Sequence, residues 1–365
     1  MSTLRLTLLL LTLGCVRPRL PSPDRSAQGP TPAPLADASQ TRADMTPDVG
    51  EPTANSDSTP PADGTGTGAL AHAPATGGAP SVPGTPGVRL FRGMPEDELL
   101  QRMATRPVVR VIERFSSSTL VFHLDLGDGL EVAFKPDRVG ENHWWRHEVA
   151  GYRLARVLGI EGRVPPAVSR SLPVGVFRGF DRGANFIVTG HGSNRAVEGA
   201  VLFWMPVLAR THLEDPERRR EWVRWLNPSL PVPPEHSRRA EQLATLVVFD
   251  YLQANFDRFN SANIRQDEHG DLVLRDNNRG WFLENLVLLH RGGIQDRIRM
   301  SEALYARVRE ATPEALRREL SRDPHEHPGG VHPPQFAAYG QRQQALVTRV
   351  EALIARHGRA AVLPW

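Results

Sequence analysis

The chain has 365 residues, of which 40% are apolar and 23% charged, an ordinary globular composition. Its formal net charge of +3 is small and its acids and bases are interleaved, which excludes nucleic-acid binding driven by a basic excess. The 32 prolines and 31 glycines crowd the first ninety residues, so the rest reads as one folded unit although the length has room for two domains.

The chain opens with Arg5 and an apolar run from Leu6 to Leu13. That run is too short to span a bilayer and reads as a signal peptide over residues 1–14. Leu11-Thr12-Leu13-Gly14 then meets Cys15, the only cysteine, so no intrachain disulfide can form. A small residue followed at once by Cys resembles the lipobox of bacterial lipoproteins. The resemblance implies cleavage before Cys15, a diacylglycerol on its sulfur, and a place in the bacterial cell envelope, on the outer membrane or its periplasmic face. Residues 15–88 are mostly Pro, Gly, Ala, Ser, Thr and Asp, a composition that cannot bury enough surface to offset its ordering entropy. They are expected to form a disordered tether with an r.m.s. span of roughly 45–50 Å.

Folded structure is expected over 89–365. A short helix is predicted at 94–105, then strands at 107–114, 119–126 and 130–134, with Gly127-Asp128-Gly129 as a hairpin turn. Apolar residues at helical spacing (Val149, Tyr152, Leu154, Ala155, Leu158) predict a helix over 143–158. Val164–Pro166, Phe186–Val188 and Ala200–Phe203 read as further strands. After Met205 the pattern turns helical, with helices expected at 214–226, 236–254, 299–320 and 335–357. A sheet-rich half (89–205) followed by a helical half (206–365) implies an α+β fold with a cleft between the two.

Four elements carry chemistry. Of the 44 basic residues 43 are arginine, and the one lysine is Lys135, at a strand end. A chain that accepts arginine almost everywhere suggests that this position needs the slim point charge of an ammonium, since a guanidinium is a broad planar fork. Glu148 lies thirteen residues on, in the following helix. Phe249-Asp250-Tyr251-Leu252 runs into a polar loop holding Asp257-Arg258 and Asn263. Leu272-Val273-Leu274 ends at Arg275-Asp276-Asn277-Asn278-Arg279-Gly280. Phosphoryl transfer needs such a set: a cation for the nucleotide phosphates, a carboxylate to hold that cation, hard oxygen ligands for a divalent metal, and an acid at the attacking hydroxyl.

Phe134-Lys135-Pro136, Arg146 to Leu154, Arg163-Val164-Pro165-Pro166, Val197-Glu198-Gly199, Phe249 to Arg258 and Asp276 to Gly280 occur in the order found in a known family. The sequence resembles the secretory-pathway kinases, which include the Golgi casein kinase, the xylose kinase and the four-jointed kinases, over about residues 130–285. The resemblance implies a bilobal protein-kinase-like fold and an ATP-dependent phosphotransferase acting on a hydroxyl of a protein (Ser/Thr) or a glycan. It implies that Lys135 contacts the phosphates and pairs with Glu148. Asp257 would orient the acceptor hydroxyl or take its proton, and Asp276 would bind Mg²⁺ or Mn²⁺ with Asn263 as second ligand. Met205 would lie in the hinge that holds adenine.

The chain departs from the family in several places. Phe259 stands where the family often has His. Asn263 lies six residues after Asp257 and Asn260 three, where related kinases have the metal-binding Asn at five. No Gly-x-Gly-x-x-Gly precedes Lys135, and Ser116-Ser117-Ser118 is the candidate phosphate cover. Two other readings stay open: a pseudokinase serving as a binding or scaffold module, and AMP transfer from the same site. Elsewhere Trp144, Trp145, Trp222 and Trp225 read as packing residues, Arg218 to Arg220 as a solvated helix face, and His325, His327 and His332 as a solvated loop.

Overall fold

The computed structural model describes residues 89–116, 119–259, 263–281, 297–325 and 331–365, all within one unit spanning Ala79–Trp365. The signal peptide, Cys15, the tether, Ser117, Ser118, Asn260 and His327 lie outside the described residues.

A pair of two-residue strands, β1 (Leu90–Phe91) and β2 (Met94–Pro95), leads into helix α1 (Glu96–Thr105). Then come β3 (Arg110–Ser116), β4 (Leu120–Asp125), β5 (Glu131–Pro136), helix α2 (Trp145–Leu158), β6 (Ala167–Pro173), β7 (Val188–Thr189) and β8 (Ala196–Phe203). They form one antiparallel sheet in the order β3-β4-β5-β8-β6, with β7 also on β8. Lys135 pairs with Ala200. His123 lies opposite Ala133, two residues before Lys135, so both stand on the Lys135 face of the sheet. Phe122 and Phe134 take the opposite face, packed on Phe177 and Phe186. Alternation thus gives the sheet one buried aromatic face and places Lys135 on the other. β5 and β8 approach so closely at Gly199 that a side-chain carbon there would come within 2.4 Å of the Lys135 carbonyl oxygen.

Two of the expected strands are corrected. Val164–Pro166 lies outside strand β6, which begins at Ala167, because two prolines in a row cannot donate to a ladder. From Phe186–Val188 only Val188 joins a strand, while Phe186 makes an isolated bridge to Arg138.

The second half contains β9 (Ala209–Arg210), α3 (Pro216–Trp225), α4 (Ser237–Gln253), β10 (Arg265–Gln266), β11 (Leu272–Val273), α5 (Glu302–Glu310), α6 (Pro313–Leu320), α7 (Pro333–His357) and α8 (Arg359–Val362). It is mainly helical but carries a small antiparallel sheet in the order β11-β10-β9. The expected helix over 299–320 is two helices, α5 and α6. Pro313, with no N–H to donate, starts α6, and the Thr312 hydroxyl caps it by accepting from Ala315 N at 3.2 Å. Buried arginines finish three helices by donating to their last carbonyls. Arg170 reaches Met103 O at 2.9 Å on α1, Arg299 reaches Trp225 O at 2.8 Å on α3, and Arg342 reaches Leu252 O at 3.0 Å on α4.

The architecture is α+β and bilobal, as expected. The helical half is not confined to its own side, however, because α6 packs against α2, a helix of the first half.

Candidate functional site

Lys135 stands on β5, and its side chain crosses to α2 and to the loop after β11. Its Nζ donates to Glu148 Oε1 and, at 2.8 Å, to Asp276 Oδ1. Glu148 is only 1% exposed, and its second oxygen accepts from Asn277 N at 2.9 Å. One carboxylate on α2 therefore fixes both the lysine and the backbone beside Asp276. Burial opposes charge on Lys135, but the adjacent Asp276 and Glu148 outweigh it and raise its pKa above the usual lysine value. Burial likewise opposes ionisation of Asp276, yet Lys135 and then Arg275 hold its carboxyl well below the usual range. Arg275 Nε lies 2.5 Å from Asp276 Oδ2, so each Asp276 oxygen faces a cation. Asp276 sits in the left-handed region at φ +56°, a conformation that Asp tolerates better than most residues.

The hairpin of β10 and β11 brings the two acidic loops together. Arg265 pairs with Val273 and Gln266 with Leu272, so the segment entering β10 and the segment leaving β11 lie at the same end. α4 stops at Ala254, in a left-handed conformation at φ +54°, and the chain turns there into the Asp257 loop. Asn255 ties this turn to both acidic loops. Its Oδ1 accepts from Asp257 N at 3.0 Å, and its Nδ2 donates to Asp276 O at 3.4 Å. Asn263 Nδ2 donates to Asp257 O at 2.9 Å and to Asp257 Oδ2 at 3.3 Å, which turns its amide oxygen away from Asp257.

Under these loops lies a buried network. Arg258 is 1% exposed, holds Asp250 through Nε at 2.9 Å, and donates to Asn277 Oδ1 at 2.7 Å and to Arg275 O. Gln253 donates to Asp250 and to Asn277, each at 3.1 Å. Burial pushes the Asp250 carboxyl up, against the pull of Arg258. Gly151 on α2 lets the helix lie directly on this network, since a side-chain carbon there would stand 2.9 Å from Asn277 Cβ. His147, one residue before Glu148, donates from Nδ1 to Asn278 O at 3.0 Å. Burial lowers its pKa to about 4.

Met205 is half-buried between β8 and β9, in the strip that links the sheets of the two halves. Its neighbour Trp204 stacks on His123 at 3.8 Å between ring centroids. Phe259, the residue that departs from the family, stacks on Trp222 with Arg219 over its ring at 4.5 Å, so it packs the loop onto α3. Trp145, Trp222 and Trp225 are buried, and Arg279 lies over Trp144 at 3.7 Å. Arg218 and Arg220 are exposed, as are His325 and His332.

Lys135, Glu148 and Asp276 thus come together directly, and Asn263 and Asp257 join them through Asn255 and the hairpin. The sequence reading did not assign Asn277, Gln253 or Arg275 to this assembly. The polar run Arg275 to Arg279 at a strand end was the available signal.

For a divalent cation the donor chemistry fits. Asp276 is held ionised and Asn263 offers an amide oxygen, both hard ligands. Among the described residues no group of three or more His, Cys, Asp or Glu is placed to hold a metal. Two side-chain ligands suit a cation that nucleotide phosphates help to bind.

No family model matches the chain, and no curated protein matches it at a significant level. Solved structures do. The Golgi casein kinase is 19% identical over 73% of this chain and 77% of that one, with a TM-score of 0.54. The same kinase with Mn/ADP bound gives 0.55, at 19% identity over 73% of this chain and 78% of that one. Hydra Fam20 with sugar is 20% identical over 72% of this chain and 90% of that one, with a TM-score of 0.52. The likeness runs through both halves of the described region, and the fold is that of the secretory-pathway kinases.

Proposed function

We propose that the protein is a phosphotransferase that moves a phosphoryl group from ATP to a hydroxyl of a protein or glycan. The observation that supports this best is the lone lysine, buried and shared between Glu148 on one element and Asp276 on another. Such a lysine is charged throughout the neutral range and fixed in direction, so it offers a preorganised cation to nucleotide phosphates. Asp257 lies in the loop facing Asp276 and would orient the acceptor hydroxyl and accept its proton. Asp276 and Asn263 would hold Mg²⁺ or Mn²⁺, which supplies charge neutralisation at the phosphates. Met205, in the strip between the halves, would meet the base. That the Golgi casein kinase was solved with Mn/ADP and hydra Fam20 with sugar supports a nucleotide, a divalent metal and a protein or glycan acceptor.

A second reading has its own observation. Both oxygens of Asp276 are engaged by cations of the chain itself, an arrangement that would suit a pseudokinase scaffold. The two readings separate when the full chain is mixed with Mn²⁺ and ATP labelled in the α or γ phosphate. The enzyme reading expects nucleotide to raise the melting temperature. It also expects the rise to vanish in Lys135→Met, and γ-label transfer to vanish in Asp257→Ala while the rise remains. Stabilisation without transfer to any acceptor favours the scaffold, and transfer of the α label shows AMP transfer. No shift with nucleotide or metal ends the kinase and AMP-transfer readings together.

We also propose that Cys15 carries lipid and holds the domain at the cell envelope. Cys15→Ser then moves the protein from the detergent phase to the aqueous phase. Unchanged partitioning would remove the anchor from the account.

A further inference from the structure

Every residue of α2 except Arg146 and Val157 is buried, and Glu148 accounts for only one side of that burial. Arg153 lies five residues on, about 140° round the helix axis from Glu148. It is 2% exposed and meets Glu319 at 3.4 Å and Asp323 at 3.5 Å. Arg156 is 5% exposed and meets the same Glu319 at 2.7 Å and Glu96 of α1 at 3.2 Å. Asp323 also accepts from Ser169 N of β6 at 3.2 Å and from the Ser169 hydroxyl. Arg322 closes the cluster from outside, 3.0 Å from Glu319.

The segment from Pro313 to His325 therefore comes from the half of the chain that follows the Asp276 loop, yet it is fastened to α2 and β6 of the first half. Turning or tilting α2 would withdraw two buried guanidiniums from shared carboxylates, leaving charge without a partner in a water-poor space. Lys135 and Asn277 hold the near side of the helix, and this cluster holds the far side.

We propose that Arg153 and Glu319 are positioning residues, which act through α2 to keep Glu148 against Lys135 before any nucleotide binds. The catalytic meaning of that pair rests on the phosphotransferase reading above; the assembly of the pair does not.

The test uses the full-length protein labelled with [¹³C]lysine and no nucleotide. Lys135 is the only lysine, so its Cε gives a single side-chain signal, and Glu148→Gln supplies the position of that signal when the pair is broken. In Glu319→Gln the signal is expected to move from the wild-type position toward that of Glu148→Gln, or to split between the two. A variant that merely lowered global stability would leave the signal of its folded molecules unmoved. If Glu319→Gln does not fold, Asp323→Asn decides, since it removes one partner of Arg153 and leaves the contact between Arg156 and Glu319. A wild-type signal in the folded variants, with Glu148→Gln displaced, overturns the proposal. Because the signal needs neither binding nor turnover, a protein that fails to use ATP would still give a clear answer here.

Discussion

The two sides of α2 hold charge in different ways. On the near side one lysine serves two carboxylates, and one of them, Asp276, has a side chain 22% exposed. On the far side two arginines serve the buried Glu96, Glu319 and Asp323, and Arg156 also reaches the exposed Asp97. A guanidinium offers five donors in a rigid fork and spreads over several acceptors, which suits permanent joinery. An ammonium on a slim stem can turn from a carboxylate toward an arriving anion. The difference teaches why a chain so rich in arginine would keep one smaller cation at a place where, in the proposed function, carboxylate contacts are exchanged for phosphate.

The sharpest separation of the two sides is chemical. Asp257→Asn should lower phosphoryl transfer by at least about 10²-fold, the usual weight of a positioned acid–base group. Its free energy of unfolding should stay within about 0.5 kcal/mol of wild type. Parallel kinetics and urea titration check both halves of the claim, and an equal loss in both would mean that Asp257 is structural.

Next comes Lys135→Met, which strands the buried Glu148 without its cation and leaves Asp276 with Arg275 alone. Breaking a buried pair this way costs about 3–5 kcal/mol, read as a lower urea midpoint. Lys135→Arg keeps the charge and changes only the shape, so it probes the comparison directly. If it binds nucleotide as tightly as wild type, the argument from slimness fails.

A pH effect of on the order of 3 kcal/mol follows from His147. Its folded pKa of about 4 lies below the ordinary 6.5, so folding favours the neutral ring. Stability is complete above pH 6.5 and is lost as the pH falls toward 4. His147→Gln, which can still donate to Asn278 O, should flatten that stretch of the pH–stability curve. An unchanged slope would assign the acid sensitivity to other groups.

The smallest change tests the far side. Arg153→Lys keeps a positive charge but cannot reach both Glu319 and Asp323, and should cost about 1–2 kcal/mol. No measurable cost would show that charge alone suffices there, erasing the contrast between the two clusters.

Much of this was legible in the sequence, unevenly. Lys135 stood out by composition, and the strands around it by alternation and the turn at Gly127 to Gly129. Glu148 and the Asp257 and Asp276 loops were marked by their order along the chain. The far-side cluster was not, because Arg153 and Glu319 are 166 residues apart and no local spacing joins them. A weaker sign was present: Arg153 and Arg156 sit inside the apolar run Val149 to Leu158, where unpaired charge would be costly. The break between α5 and α6 was signalled by Thr312-Pro313, against a continuous helical pattern on both sides. Phe259 could be read only as a departure until its stacking on Trp222 gave it a role.

The solitary lysine has a consequence for reagents and modifying enzymes. Any chemistry directed at ε-amines, such as acylation, carbamylation or attachment of a modifier protein, finds one address on the 365-residue chain. That address is 6% exposed and kept protonated by two carboxylates, and a protonated amine is not a nucleophile. Lys135 of the folded protein should therefore be inert to amine-directed electrophiles. Labelling, where it occurs, would time the local opening that frees Lys135 from Glu148 and Asp276.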